Sequence, residues 1–224
     1  MRIRRGRSRS GSSKDWQVNT VTPPEKAEDG VILRNSVSNL TGTIDVRMLR
    51  PAPGQRKLQI LSGKDAHTVF GHEFTPPSPA GPQANGHRVM FSPTEPKRRD
   101  EFLTVMLIAD EKAEKPPVGL TELAHVFVLT IADRTVVLSR SEEPVNEAIE
   151  VAVNTADTGQ LILTGLAPGP WNVRGTDPGV RLNLNITAEK PTAFLSVGRG
   201  KHIIAPGSAQ PAEDRSEQSG GRES

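Results

Sequence analysis

A chain of 224 residues can form one large domain or two small ones. It contains no cysteine, which excludes disulfides and thiolate chemistry, and its formal net charge of +2 is close to balanced. The sequence has no run of about 18 apolar residues, so no membrane-spanning helix is predicted. The apolar residues are concentrated between about Val31 and Ile204, where we expect the folded core.

Short apolar runs fill the chain between Trp16 and Ala205. They alternate with period two and are bounded by Gly, Pro, Asn and Asp, a pattern typical of β-strands in a sandwich or barrel. The most apolar run, Glu101–Ala109, is predicted to be a central strand. In chain order the predicted strands are 16–21, 43–48, 57–61, 67–70, 87–91, 101–109, 124–131, 135–139, 147–153, 160–163, 170–174, 180–186, 192–197 and 201–205.

Glycine, proline and aspartate mark the predicted connections. Ala132–Arg134 indicates a short hairpin, and Asp157–Gly159, Asp177–Gly179 and Gly198–Gly200 indicate tight turns. The helix candidate Pro117–Ala124 is too short to be stable alone. Because strands and helices do not alternate, a parallel nucleotide-binding sheet is not expected. The sequence predicts an all-β fold: one antiparallel β-sandwich domain of about a dozen strands or more, over residues 16–205.

Both ends of the chain are polar. Residues 1–15 are basic and rich in Ser and Gly, residues 206–224 lack aromatic side chains, and both segments are predicted to be disordered. The charged start lacks the apolar stretch of a secretory signal peptide, so the sequence assigns no compartment. The basic head could bind nucleic acid, in which case deleting residues 1–14 should abolish DNA binding. It lacks interleaved aromatic residues, so nucleic acid is not the favoured partner.

The sequence shows no recognisable catalytic, cofactor or metal motif. A zinc site needs three or four converging ligands, and the histidines do not form a known ligand pattern. No nucleophile elbow and no phosphate-binding loop is present. We therefore assign no catalytic residue, no cofactor and no metal ligand. The histidines considered are His67, His72, His87, His125 and His202.

A cluster of three cations is the one candidate for substrate binding. Lys97, Arg98 and Arg99 follow a proline and precede an apolar strand, so they can simply form a solvated loop. Clustered cations also attract polyanions such as acidic polysaccharides. Trp16 and Trp171 could serve as platforms for stacking sugars, but burial in a β-core is the favoured reading.

Several motifs, taken in order, resemble one protein family. The chain resembles the C-terminal β-sandwich region of heparinase II/III-like polysaccharide lyases, over roughly residues 16–205. It departs from the family at Met90 and Phe91, where the family often has Glu and Val. The motifs are WQVNTVTPP (16–24), TIDVRMLRP (43–51), GHEF (71–74), GHRVMFSP (86–93), DEFLTV (100–105) and LILTGLAPG (161–169).

The resemblance implies β-elimination at a uronic acid, carried out in the family by a Tyr and a His on an N-terminal helical toroid. The chain contains no Tyr, so no catalytic residue is carried over and the chain alone is expected to be inactive. Members of the family are typically exported. We expect a non-catalytic C-terminal portion of such a lyase, a fragment that supports the breakdown of acidic polysaccharide only with a toroid as partner. The alternative is a stand-alone β-sandwich module that binds a glycan or a protein.

Overall fold

The structure, a computed structural model, describes residues 14–69, 71–74, 86–95, 97–175 and 181–207. Residues 1–13 and 208–224 lie outside this range, so the predicted disorder of the ends and the predicted role of the basic head fall outside the described residues. The contacts divide the chain into two compact units, Met1–Lys115 and Pro116–Ser224, which are treated separately below. The two units do not test whether residues 16–205 form a single domain, so that statement stays a prediction.

The described residues form an all-β structure, as predicted. They include sixteen strands and one short 3-10 turn, and no α-helix. None of their helical segments is long and apolar enough to cross a membrane. The strands are β1 (Trp16–Thr20), β2 (Glu25–Ala27), β3 (Gly30–Val37), β4 (Leu40–Arg50), β5 (Arg56–Ser62), β6 (Thr68–Val69), β7 (His72–Glu73), β8 (His87–Pro93), β9 (Leu103–Asp110), β10 (Val118–Glu122), β11 (Val126–Ile131), β12 (Arg134–Ser139), β13 (Ile149–Thr164), β14 (Gly169–Gly175), β15 (Arg181–Ile186) and β16 (Thr192–Pro206).

The first unit is built from two antiparallel sheets that share one core. One sheet has three strands in the order β1-β8-β5, and the other has four in the order β2-β3-β4-β9. The pairs are antiparallel, and side chains alternate between the faces of each strand. Inward-facing residues of both sheets meet, which is the packing of a sandwich. The buried core residues are Val31, Leu33, Val46, Met48, Val89, Phe91 and Phe102.

The 3-10 turn Gly63–His67 connects β5 to a small hairpin of β6 and β7. Arg88 fixes this turn, because its guanidinium Nη2 donates to the carbonyl oxygens of Asp65 at 3.0 Å and Thr68 at 2.6 Å. The Arg88 side chain is buried, so these bonds form away from bulk water. The turn is therefore held against β8.

The second unit contains one seven-stranded sheet in the order β10-β11-β12-β13-β16-β14-β15. Its pairs are antiparallel except for β12 with β13, which is parallel. The long strands β13 and β16 form its centre. The last part of β16 pairs with the first part of β13 on one side and with β14 on the other, whereas the last part of β13 pairs with β12.

The register between β13 and β16 shifts between Val153 and Thr158, opposite Gly200 and Gly198. This irregularity lets the strands bend, since bulges and glycines in strands mark changes of direction. Core side chains come from both halves of the sheet, so its inner faces meet. They are Val126, Val128, Val137, Val145, Ile149, Val151, Val153, Leu161, Leu163, Leu166, Trp171, Val173, Ile186, Val197 and Ile204.

Several local predictions need correction. The turns expected at Asp157–Gly159 and Gly198–Gly200 are instead parts of continuous strands, because the glycines there mark a bend and not a chain reversal. The helix candidate Pro117–Ala124 contains strand β10. Its short apolar segment pairs with β11, and that pairing satisfies the backbone.

The run Glu101–Ala109 forms an edge strand, β9, and not a central one. The hairpin at Ala132–Arg134 is confirmed, with Ala132 at a positive φ of 52° between β11 and β12. The turn expected at Asp177–Gly179 lies outside the described residues.

Candidate functional site

A groove of about 410 Å³ opens at one end of the three-stranded sheet in the first unit. Three parts of the chain supply its walls: the end of β1, the 3-10 turn and the start of β8. The lining residues are Asn19, Thr20, Val21, Ala66, His67, Gly86 and His87.

His87 lies at the centre of this end of the sheet. Because β8 is the middle strand, its first residue faces Thr20 of β1 on one side and Ser62 of β5 on the other. The Ser62 hydroxyl and Nδ1 of His87 are 2.8 Å apart and form a hydrogen bond. This bond orients the imidazole beside the groove.

His67 is brought to the same groove by the 3-10 turn that Arg88 holds. The backbone N–H of Phe74 donates to the His67 carbonyl at 3.0 Å, which ties the end of the turn to the small hairpin. Lys64 on this turn forms an ion pair with Glu73 at 3.0 Å. The arginine of the GHRVMFSP motif is thus a structural support for the groove wall.

The described lining residues offer imidazoles, an amide and a hydroxyl, and no carboxylate is among them. Such groups donate and accept hydrogen bonds with oxygen-rich ligands such as sugars. Catalysis by proton transfer would require a different arrangement, in which a base and an acid are positioned for that transfer. Among the described residues, no three His, Asp or Glu side chains cluster in a way that could hold a metal ion.

Three surface ion pairs outside the groove lining shift the pKa values of their members. The Arg34 guanidinium lowers the pKa of Glu25 by hydrogen bonding, and Glu73 and Glu150 raise the pKa of Lys64 and Lys201 in the same way. These groups lie at the surface, where an ion pair explains the shift without any catalytic role.

The basic cluster lies in an exposed loop just before β9. Asp100 organises this loop: its carboxylate accepts from the Lys97 backbone N–H at 3.2 Å and lies 3.5 Å from Nζ of Lys14. The same Lys14 ammonium donates to the carbonyls of Lys97 at 3.2 Å and Arg98 at 2.7 Å. The loop therefore closes over the partly buried Lys14 ammonium and presents Lys97, Arg98 and Arg99 at the surface.

The structure does not bring the basic loop and the groove together. The loop is attached to Lys14, just before β1, whereas the groove begins at the other end of that strand. Six residues of extended chain span roughly 20 Å. A ligand that touched both would have to follow β1 along the sheet.

The remaining histidines are dispersed. His72 is exposed in β7, and His125 pairs with Glu147 at 3.2 Å on the surface of the second unit. His202 is buried in β16, where Nε2 bonds the Gly198 carbonyl at 2.8 Å and Nδ1 has no hydrogen-bond partner. Only His67 and His87 share a site.

Both tryptophans pack in cores, as predicted. Trp171 is 2% exposed, and its indole N–H donates to the Ala167 carbonyl at 2.9 Å. Trp16 is partly buried and contacts Phe91, with ring centroids 5.8 Å apart. Neither serves as an exposed platform for a sugar ring.

The fold and these surfaces define an all-β, sandwich-type protein. Residues 120–206 match the family model of the heparinase II C-terminal domain. The predicted resemblance to a heparinase II/III-like C-terminal region is thereby confirmed over this stretch, which lies in the second unit. For the motifs between residues 16 and 105 the resemblance stays a prediction. No curated protein matches the chain.

Proposed function

We propose that the chain is a non-catalytic C-terminal β-sandwich portion of a heparinase II/III-like polysaccharide lyase. In this role it supports the degradation of an acidic polysaccharide by a helical toroid that carries the catalytic residues. The observation that carries the proposal is the match of residues 120–206 to the heparinase II C-terminal domain. The absence of Tyr from the sequence also argues against a tyrosine-based lyase centre within this chain.

The basic loop is the proposed contact with the polysaccharide. Asp100 pairs with Lys14, and the three cations that precede it in the loop, Lys97, Arg98 and Arg99, are exposed. A polyanion that binds exposed cations releases its counterions, which makes the affinity dependent on salt. The expected ligand is a sulfated or uronate-rich chain, and the loop would hold it while a separate catalytic domain acts.

The first experiment tests binding and activity together. The purified chain is mixed with heparin and with alginate, and affinity is measured by calorimetry at several salt concentrations. We expect salt-sensitive binding and no new unsaturated-uronate absorbance. The variant Lys97→Ala/Arg98→Ala/Arg99→Ala should bind roughly ten- to a hundredfold more weakly, since each exposed ionic contact contributes up to about 1 kcal/mol.

The matched control is Arg181→Ala/Lys190→Ala/Arg199→Ala. It removes the same one lysine and two arginines, all exposed, from the second unit. Its affinity should equal that of the unmodified chain. Equal weakening of the affinity by both triple variants would mean that binding depends on the overall positive charge of the chain and not on the basic loop. Formation of unsaturated uronate by the isolated chain would refute the non-catalytic role.

The groove favours the alternative function, a stand-alone module that binds a glycan or a protein. Its polar lining suits a neutral or weakly charged sugar better than a highly sulfated chain. In this case binding would persist at high salt, would survive the basic-loop variant and would be lost in His87→Ala. Retained binding by His87→Ala would exclude the groove as the site.

A further inference from the structure

The three-stranded sheet β1-β8-β5 of the first unit has an outer face opposite its core side. On the core side, Val18, Val89 and Ile60 form one row across the three strands and pack in the core. Because successive side chains of a strand project from opposite faces, the residues next to these three lie on the outer face. The two adjacent rows of the outer face are Gln17–Met90–Gln59 and Asn19–Arg88–Leu61.

Exposed amides dominate this outer face. Gln17 and Asn19 of β1 and Gln59 of β5 are all exposed. Among the described residues, none of these three side chains has a hydrogen-bond partner. Lys57, two residues before Gln59, projects from the same face and is also exposed. Amides and an ammonium bind the hydroxyl, carboxylate and sulfate oxygens of a ligand.

The outer face extends from the groove to the basic loop. At the groove end, Asn19 lies opposite Arg88, which holds the 3-10 turn, and Asn19 also lines the groove. At the other end, the Ser92 hydroxyl donates to Asp15 at 2.6 Å. The residue before Asp15 is Lys14, which binds the carbonyls of the basic loop. The whole distance along β1 is roughly 20 Å.

The side chains of this face favour a glycan as its ligand over a protein. Protein interfaces usually have an apolar or aromatic centre. The two apolar residues of these rows, Met90 and Leu61, are only partly exposed, and neither row contains an aromatic residue. Single-stranded nucleic acid also binds by stacking on aromatic side chains, which these rows do not offer.

Charge selects an acidic glycan among the possible glycans. Lys57 is exposed on the outer face, and the three exposed cations of the basic loop lie beyond its Lys14 end. Asp15 is the carboxylate at this end of the face, and it accepts the hydrogen bond from Ser92. A surface with clustered cations attracts polyanions over neutral chains.

We propose that an acidic polysaccharide binds along this outer face, from the basic loop past Gln17 and Gln59 to the groove. The inference rests on the proposed function and extends it from a contact at one loop to a path along β1. The cations hold carboxylates or sulfates, and the amides form hydrogen bonds with hydroxyl groups. Because the path is long, its ligand is an oligosaccharide chain and not a single sugar.

The test places negative charges in the middle of this path. Gln17→Glu/Gln59→Glu keeps the size of both side chains and adds two carboxylates beside β8. Long heparin and alginate oligosaccharides are titrated into the full chain by calorimetry. The affinity should fall roughly tenfold, because the added charges repel an acidic ligand that follows the face.

Asn183→Asp/Asn185→Asp is the matched control. Both asparagines are exposed on one face of β15 in the second unit, so the same charge is added away from the path. The control should bind like the unmodified chain, and far-ultraviolet circular dichroism should show that both variants are folded. Equal weakening by the two double variants would overturn the proposal.

The basic-loop variant separates this inference from the proposed function. If Lys97→Ala/Arg98→Ala/Arg99→Ala weakens binding and Gln17→Glu/Gln59→Glu does not, the loop binds the polysaccharide without the outer face, and the path alone is refuted. If neither variant weakens binding, or neither oligosaccharide binds, the proposed loop contact fails as well. Single-stranded DNA that binds with the same sensitivity to Gln17→Glu/Gln59→Glu would contradict the assignment of a polysaccharide.

A fluorescent label tests the path without adding charge to the face. The cysteine-free sequence allows a neutral dye to be attached at one introduced cysteine. A dye at Gln59→Cys should change its fluorescence when the long oligosaccharide binds, whereas a dye at Asn183→Cys should not. No change at Gln59→Cys with the oligosaccharide bound would show that the ligand lies elsewhere and would refute the path.

Discussion

The two units of the chain build β-cores in different ways. In the first unit, two separate sheets pack face to face around one core. In the second unit, one sheet of seven strands bends along the long β13–β16 pair and supplies its core from both of its halves. A sandwich of separate sheets leaves sheet ends and edges open, and the groove, the basic loop and the β9 edge all lie in the first unit.

The two units also differ in which features they contribute: long paired strands in the second unit, and exposed polar and charged surfaces in the first. The match to the heparinase II C-terminal domain lies in the second unit, whose long strands β13 and β16 pair over most of their length on either side of one register shift. The first unit contributes the polar groove and the exposed cations. We therefore expect substitutions in the second unit to act mainly on folding, and surface substitutions in the first unit to act on binding.

The largest effect is expected for Trp171→Ala in the second unit. Trp171 is 2% exposed and lies in the core formed by both halves of the sheet. Its removal leaves a cavity and the Ala167 carbonyl without its indole donor, so the free energy of unfolding should fall by about 3–5 kcal/mol. Denaturant unfolding followed by circular dichroism measures this change.

The control in the same unit is Phe194→Ala, at a 69% exposed position. Its effect should stay within about 0.5 kcal/mol. Similar losses for the two variants would show that burial in the bent sheet does not determine stability there.

The next effect is expected for Gly30→Ala in the first unit. A Cβ at Gly30 would lie 1.8 Å from the backbone carbonyl oxygen of Val46, so β3 and β4 would have to move apart. Overpacking of this kind destabilises by about 1–3 kcal/mol or more. Trp16 fluorescence reports on this unit during denaturation if Trp171 is replaced by Phe in the background.

Gly42→Ala provides a comparison on the same pair of strands. An added Cβ at Gly42 meets nothing within 4 Å, so its effect should be small. An equal loss of stability in Gly30→Ala and Gly42→Ala would mean that intrinsic strand preference explains the effect at Gly30. The close approach of β3 to β4 would then not be its cause.

The smallest effect is expected at low pH, from Glu25 in the first unit. Arg34 donates to Glu25 at 2.7 Å and lowers the pKa of this carboxyl below its ordinary value of 4.5. Stability from the pair is therefore fully present above that value and is lost as the pH falls through the lowered pKa of the folded state. Glu25→Gln should flatten this part of the stability curve slightly, because the pair is exposed.

Unfolding measured across the acid range tests this prediction, with Glu28→Gln as the control at a nearby exposed carboxylate. The control should keep the slope of the original curve. An unchanged slope in Glu25→Gln would show that the ion pair with Arg34 adds nothing measurable to folding.

Local patterns in the sequence predicted many of the strands and their type. The alternation in Thr43–Met48 and His87–Phe91 appears as β4 and β8, and the connection at Ala132–Arg134 is a hairpin. The predicted strands did not include β2 and β3. The apolar run after Gly30 was a usable signal for β3, because Val31 and Leu33 are buried and the residues that follow each of them, Ile32 and Arg34, are only partly buried.

The groove could not be predicted in the same way. Thr20, Ser62 and His87 are distant in sequence and meet only because β8 lies between β1 and β5. No sequence motif indicates this strand order. The basic loop is a local feature, and its cations could be recognised directly, although its folding around Lys14 and Asp100 depends on a contact across the chain.

The sequence by itself determined the all-β class, the lack of thiol chemistry and the resemblance of the chain's later part to a lyase C-terminal region, since composition, period-two alternation and local motifs are properties of neighbouring residues. Tertiary structure decided which strands are central and which are edges. It placed the apolar run of β9 at an edge and turned two glycine signals into a bend. The physical reason is that strand order is set by hydrogen bonds and burial between distant segments, which alternation within one strand does not specify.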